Sequence, residues 1–80
     1  MDSKIAVVAI IVEDNSVAER INAILHDFSQ YVVGRMGLPY KERNVNVISV
    51  VIDAPQEVIN SLSGKLGMIS GVKSKVLTTK

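Results

Sequence analysis

The stretch IAVVAIIV, residues 5–12, is short, wholly apolar and rich in β-branched side chains. It predicts a β-strand, because branched side chains pack well on a pleated surface and the stretch is far shorter than the roughly 20 residues of a membrane helix. A strand covered on one face should alternate apolar and polar residues. Both alternating sets are apolar here, so the sequence predicts a central strand that needs cover on both faces.

After this strand, the spacing of apolar residues changes from the alternation of a strand to the period of a helix. Residues 17–28 repeat apolar side chains at helical spacing, and Ser16 and Glu19 have the spacing of a capping box, so we predict a helix. Residues 31–37 predict a second strand, and residues 38–44 predict a polar connection with a proline near its start.

The second half of the chain repeats this order. Residues 45–52 predict a third strand that is again apolar in both alternating sets. Asp53, followed closely by a proline and a glutamine, predicts the cap of a second helix, which Gly64 or Gly67 would end in a left-handed conformation. Residues 72–78 predict a fourth strand, whose lysines are typical of a sheet edge.

The resulting order, βαββαβ, predicts an α+β fold of the ferredoxin-like sandwich type. In this fold a four-stranded antiparallel sheet carries both helices on one face, because the crossovers are right-handed. The first and third strands lie in the centre, and the second and fourth lie at the edges. We predict that residues 1–80 form a single domain, since the chain is too short for two.

The second face of this sheet predicts a partner subunit. Small domains bury only about 60% of their unfolded surface and often depend on disulfides, metals or oligomerisation. The sequence has no cysteine and one histidine, His26, which excludes disulfides and a multi-histidine site within one chain. We therefore predict a homo-oligomer, a dimer or tetramer that assembles through the sheet.

Composition and motifs exclude several classes of function. A net charge of +1 does not indicate the positively charged surface that binds nucleic acid or an anionic membrane. No Ser-His-Asp set, Walker loop or G-x-G-x-x-G is present, so we predict that the protein is not an enzyme and needs no cofactor. We place it in the cytoplasm, since the apolar run lacks the pattern of a signal peptide. His26 could still bind a metal together with acidic residues of neighbouring chains.

The segment YVVGRMGLPYKER, residues 31–43, is the best candidate for a recognition site. Gly34 and Gly37 interrupt a strand, where glycine often marks a bulge or a close approach of another backbone. Arg35 offers five donors suited to a carboxylate or phosphate, and Met36 offers an adaptable apolar surface. We predict ligand or subunit contacts here, although the glycines could merely twist an edge strand with Arg35 solvated. The turn after the first strand is predicted to lie nearby and to add Glu13, Asn15 and Ser16.

Three strings carry a resemblance to a known family: IIVEDNSVAERINAILHDF (residues 10–28), GRMGLPYKERNVNVISVVIDAP (34–55) and SGKLGMISGVKSKV (63–76). The chain resembles the family of iron-only hydrogenase system regulators, and G-R-M-G-x-P-Y is the most distinctive part. That family is ACT-like, with a ferredoxin-like fold, and is similar in shape to the effector domain of nickel-responsive repressors.

The resemblance implies a stand-alone regulatory domain, linked to transcription regulation, that binds a small-molecule effector or a partner through an oligomeric ACT-like assembly. Two departures narrow this expectation. Amino-acid-binding ACT domains have a glycine in the turn after the first strand, where residues 13–16 read EDNS. The nickel-binding domain uses several histidines and a cysteine, which this chain lacks. Alternative functions are a metal-responsive sensor that uses His26 between subunits and a purely structural interaction module.

Overall fold

The computed structural model describes residues 2–79 and contains two helices and one four-stranded antiparallel sheet. In chain order the elements are β1 (Ser3–Val12), α1 (Ala18–Asp27), β2 (Val32–Tyr40), β3 (Val45–Pro55), α2 (Gln56–Gly67) and β4 (Val72–Thr78). Neither described helix has the length and apolar character that a membrane crossing requires. The predicted α+β, ferredoxin-like fold is confirmed.

The strand order in the sheet is β2-β3-β1-β4. The two strands with apolar residues in both alternating sets, β1 and β3, therefore lie in the centre and pair with each other along ten residues. The edge position of β2 also explains how Pro39, which has no backbone N–H, is accommodated in a strand.

The hydrophobic core lies between the sheet and the two helices. Ala6, Val8, Ile10 and Val12 of β1 point toward the helices and are at most 1% exposed. The helices contribute one apolar stripe each, and the buried side chains of these stripes are Ile21, Leu25, Ile59, Leu62 and Leu66. Fully burying a side chain of this kind stabilises the fold by about 1.5–3 kcal/mol.

The opposite face of the sheet carries no element among residues 2–79, and we call it the open face. The β1–β3 and β1–β4 registers place Ile5, Val7 and Ile11 on it, opposite Asp53, Val51 and Val47 of β3. Eight of its large apolar side chains are 38–75% exposed: Ile5, Val7, Ile11, Met36, Leu38, Tyr40, Val47 and Leu77. The prediction that the central strands are apolar on both faces is thus confirmed.

Several predicted boundaries were wrong because strand pairing continues past the local sequence signals. Residues 38–40 belong to β2, where the sequence predicted a connection. β3 continues to Pro55, because Asp53 and Ala54 pair with Ile5 and Lys4 of β1. Asp53 is therefore not a helix cap, and α2 begins at Gln56 without a side-chain cap.

The turn between β1 and α1 is capped by a residue that the capping-box prediction did not name. The Asp14 carboxylate accepts hydrogen bonds from the Ser16 hydroxyl at 2.7 Å and from the Ser16 backbone N–H at 2.9 Å. These two hydrogen bonds lower the pKa of the Asp14 carboxyl below its usual 3.8, and the bond from the Ser16 hydroxyl has the larger effect. A short 3-10 turn, Asn15–Val17, leads into α1, so Ser16 is a partner of the cap and not the cap itself.

Gly71, and neither Gly64 nor Gly67, is the glycine in a left-handed conformation. Its φ is +84°, and a Cβ placed on it would lie 2.7 Å from the Cβ of Asp14. Its carbonyl accepts a hydrogen bond of 2.7 Å from the Glu13 backbone N–H. Gly71 thus allows the start of β4 to approach the β1–α1 turn closely, which only glycine permits.

We predict opposite effects for two glycine-to-alanine substitutions. Gly71→Ala should lower the free energy of unfolding by about 1–3 kcal/mol, because the backbone is strained and Asp14 must move. Gly64→Ala should raise it by about 0.5–1 kcal/mol, because Gly64 lies within α2 and a methyl group added to it would meet nothing within 4 Å. Urea unfolding monitored by circular dichroism measures both; equal effects would contradict this account of Gly71.

Candidate functional site: the groove between α1 and β2

A groove runs between helix α1 and the edge strand β2, on the helix side of the sheet. It consists of two hollows of about 310 and 320 Å³, and both are lined by Asn22 and Arg35. The apolar lining of the first hollow on the helix side of the sheet comes from β1, α1, β2 and β3: Val12, Ala18, Ile21, Gly37, Pro39 and Ile48. We call the two hollows together the α1–β2 groove. Their volumes are at the lower end of the range for small-molecule sites.

A hydrogen bond crosses the groove where the two hollows meet. An Nη of Arg35 donates to Oδ1 of Asn22 over 2.6 Å, which joins β2 to α1. Both side chains are solvent-exposed, so the bond is accessible from outside. The first hollow lies on the side of Pro39 and Asn46, and the second on the side of His26 and Ser29.

The G-R-M-G segment is divided between the two faces of the sheet. Its pairing with β3 places Arg35 opposite Val50 and Gly37 opposite Ile48, on the helix side. The other two residues, Gly34 and Met36, lie on the open face, with Met36 69% exposed. A register shift between Val32 and Gly34 precedes the segment, so an irregularity of the strand lies next to Gly34, whereas Gly37 pairs in regular register with Ile48.

The predicted residues of the β1–α1 turn have three different environments. Asn15 lies at the end of the groove, whereas Ser16 binds only Asp14 among the described side-chain hydrogen bonds. Glu13 forms an ion pair with Lys73 at 3.9 Å, and both side chains are largely exposed. An exposed pair at this distance contributes little stability. Of the three predicted turn residues, only Asn15 adjoins the groove through a direct contact.

Three asparagines connect the β1–α1 turn to the β2–β3 turn. Nδ2 of Asn46 donates to Oδ1 of Asn15 over 2.7 Å, and Nδ2 of Asn15 donates to Oδ1 of Asn44 over 2.9 Å. Asn44 has a positive φ of 55°, which asparagine tolerates better than most residues. Since Asn46 also lines the first hollow, this chain of amides closes one end of the α1–β2 groove.

His26 lines the second hollow and is exposed on α1. Within residues 2–79 there is no group of three or more His, Cys, Asp or Glu side chains that could hold a metal ion. The guanidinium of Arg35 lines the same hollow, and a positive charge there disfavours a metal cation. A metal site shared between subunits through His26 stays a prediction.

Sequence reasoning missed the groove residues that come from other elements, chiefly Asn22, Asn46 and Pro39. Two signals were available. Asn22 is a poor helix former in the middle of an amphipathic helix, and Asn46 is the polar member of an alternating set of β3 that is otherwise apolar. The sequence predicts a connection at Pro39, so its position in β2 does not follow from the local pattern.

The groove combines apolar walls with a few polar groups that converge on one space. A guanidinium and two carboxamides, from Arg35, Asn22 and Asn46, supply donors and acceptors to the first hollow. This composition is typical of pockets that hold a small molecule in a fixed orientation.

Comparisons with known proteins agree with this fold. Protein TM1266 of Thermotoga maritima, itself uncharacterized, is 39% identical, with a TM-score of 0.93 over 99% of this chain and 100% of that chain. A formyltetrahydrofolate deformylase from Pseudomonas putida KT2440 is 11% identical, with a TM-score of 0.60 over 92% of this chain and 28% of that one, a likeness of fold alone. No curated protein matches the sequence. The family model of TM1266-like iron-only hydrogenase system regulators matches residues 4–76. The chain therefore belongs to the TM1266-like family of iron-only hydrogenase system regulators.

Proposed function

We propose that this chain is a non-catalytic regulatory domain that binds a small effector molecule in the α1–β2 groove and acts as a homo-oligomer. The observation that carries the proposal is the first hollow, about 310 Å³ in volume, where polar groups of three elements converge between apolar walls. The family name supports a regulatory role in the iron-only hydrogenase system. An effector in this groove would contact α1, β2 and β3 together, so its binding would favour one arrangement of these elements.

The side chains that line the groove favour recognition over catalysis. Among the described residues, Arg35 is the only ionisable side chain of the first hollow, and a guanidinium does not exchange protons at neutral pH. His26 and Ser29 line the second hollow, but no carboxylate of residues 2–79 lines it to orient the imidazole. A general acid or base with a positioned nucleophile is the minimum for most hydrolytic and transfer reactions, and the described part of the groove does not supply this set.

The open face supports assembly with a second copy of the chain. With strands about 4.8 Å apart and a rise of about 3.3 Å per residue, the face of the four strands measures roughly 600 Å². Two such faces would bury roughly 1,200 Å² in all, which is the lower end of the range for a specific, stable interface. A two-fold partner presents the same apolar centre, formed by Val7, Ile11, Val47 and Val51, so each copy covers the other. Lys73 and Lys75 on β4 would lie at the rim, where their charges stay hydrated.

We predict that Val47→Lys dissociates the oligomer. Val47 is opposite Ile11 on the two central strands of the open face, and a lysine there would bring a charged ammonium into the apolar interface. Sedimentation equilibrium at micromolar concentration should give a dimer or tetramer for the unaltered chain and a monomer for the variant. Ser61→Lys, which adds the same charge at an exposed position of α2, is the matched control and should stay oligomeric. A monomeric unaltered chain would contradict this assembly.

We predict that Gly37→Val blocks effector binding without destabilising the fold. Gly37 lines the first hollow, and a Cβ added to it would meet no atom within 4 Å. A valine side chain would therefore fill the hollow, and valine also has a higher strand propensity than glycine. Gly34→Val adds the same side chain to the same strand on the open face. In an NMR screen of the ¹⁵N-labelled chain with a library of small polar metabolites, hits should shift amides of α1 and β2 and should be lost only in Gly37→Val. A screen without hits in the unaltered chain would favour the structural interaction module instead.

A further inference from the structure

We infer that the effector carries a carboxylate on a short apolar body. This carboxylate would replace Oδ1 of Asn22 as the acceptor of the hydrogen bond from the Arg35 guanidinium. The inference rests on the proposed function, because it assigns a chemical class to the occupant of the α1–β2 groove. The apolar body would lie in the first hollow, against Pro39 and Ile48.

The charge of the groove is the first argument. Among the described side chains that line the two hollows, Arg35 alone is permanently charged, and it lines both. No aspartate or glutamate of residues 2–79 lines either hollow, so an anion would meet attraction from the guanidinium without repulsion from a carboxylate. A neutral or cationic ligand would leave this charge without a counterpart.

The partner of Arg35 is the second argument. Its described side-chain hydrogen bond goes to Oδ1 of Asn22, a neutral amide oxygen, and the ion pair found among residues 2–79 does not involve it. A guanidinium has five donors in a planar fork, which a carboxylate matches with two parallel hydrogen bonds. Exchanging one amide acceptor for a bidentate carboxylate strengthens the interaction and leaves the Asn22 amide free to bind a second polar atom of the ligand.

The shape of the first hollow is the third argument. Apart from Arg35 and the two asparagines, the residues that line it are apolar or glycine. The Arg35–Asn22 bond lies at the boundary with the second hollow, so the carboxylate would lie at that boundary and the apolar part would extend toward Pro39. A bare oxyanion such as inorganic phosphate would bind the guanidinium but leave the apolar walls in contact with water.

A pair of isosteric probes tests the inference. 3-Methylbutanoate and its neutral analogue 3-methylbutanamide differ in the charge of one group, and inorganic phosphate is the anion without an apolar body. Each is titrated into the ¹⁵N-labelled chain at constant ionic strength, and the Arg35 Nε–H and Asn22 Nδ2–H₂ signals are followed by NMR. We expect the carboxylate to bind at least about tenfold more tightly than the amide, as for a hydrogen bond to a charged group. Phosphate should shift Arg35 but not the amide of Ile48.

The variant Arg35→Gln separates the charge from the groove. In this variant the carboxylate and the amide should bind equally, because the guanidinium that distinguishes them is absent. If the two probes bind the unaltered chain with equal affinity, or if phosphate binds more tightly than the carboxylate, the assignment of a carboxylate ligand is overturned while the groove remains a binding site. If none of the three probes shifts any groove signal at millimolar concentration, this inference is overturned, whereas the proposed function fails only if the broader metabolite screen is empty too.

Discussion

The structure depends on the unequal burial of the two faces of its sheet. The two central strands are apolar on both faces, but the two helices cover only one face. On the covered face, β1 side chains are almost completely removed from water, and on the other face the large intervening side chains of the same strand are 38–43% exposed. Hydrophobic burial is proportional to apolar area, so the uncovered half of this sheet represents stabilisation that a lone chain does not gain. For a domain of 80 residues with no cysteine, we propose that a second copy supplies that stabilisation.

The α1–β2 groove follows from the same architecture. The core side chains of α1 pack over the central strands, and the edge strand β2 is left with only one partially buried stretch near its start. The space between the helix and this edge is bridged by polar contacts, Arg35 with Asn22 at one point and the three asparagines at the end of the groove. Polar contacts of this kind can be exchanged with a ligand at little cost, while packed apolar contacts cannot, and for this reason we propose the groove as the place where the domain responds to a small molecule.

The architecture could be predicted from the sequence because it is encoded in periodicity. Residues 5–12 and 45–52 identified the central strands, and the lysines of β4 identified an edge. The element boundaries failed where pairing across the sheet overrides local signals, as at Asp53, which pairs with Ile5 instead of capping a helix. Gly71 could not be recognised as the left-handed glycine, because its conformation is required by contact with Asp14, a residue distant in sequence.

The candidate site could be predicted only in part, for a related reason. The G-R-M-G segment stood out by composition, but its division between two faces depends on the register of β2 against β3. Arg35 and Gly37 therefore belong to the groove, and Gly34 and Met36 belong to the open face. The partners that complete the groove, Asn22 and Asn46, come from elements that meet only in the fold, and their polar character in apolar patterns was the sole local sign.

The central claim is that a second copy covers the open face, and the most direct test is the solvent accessibility of its methyl groups. Relaxation of methyl signals by a soluble gadolinium chelate can be measured for Ile11 of the open face, with the buried Ile10 and the 85% exposed Met68 as internal references. At micromolar to millimolar concentration, Ile11 should be relaxed as weakly as Ile10, although it is 42% exposed in the single chain. Relaxation of Ile11 midway between the two references, unchanged on dilution, would show that the open face is in contact with water and would contradict the claim.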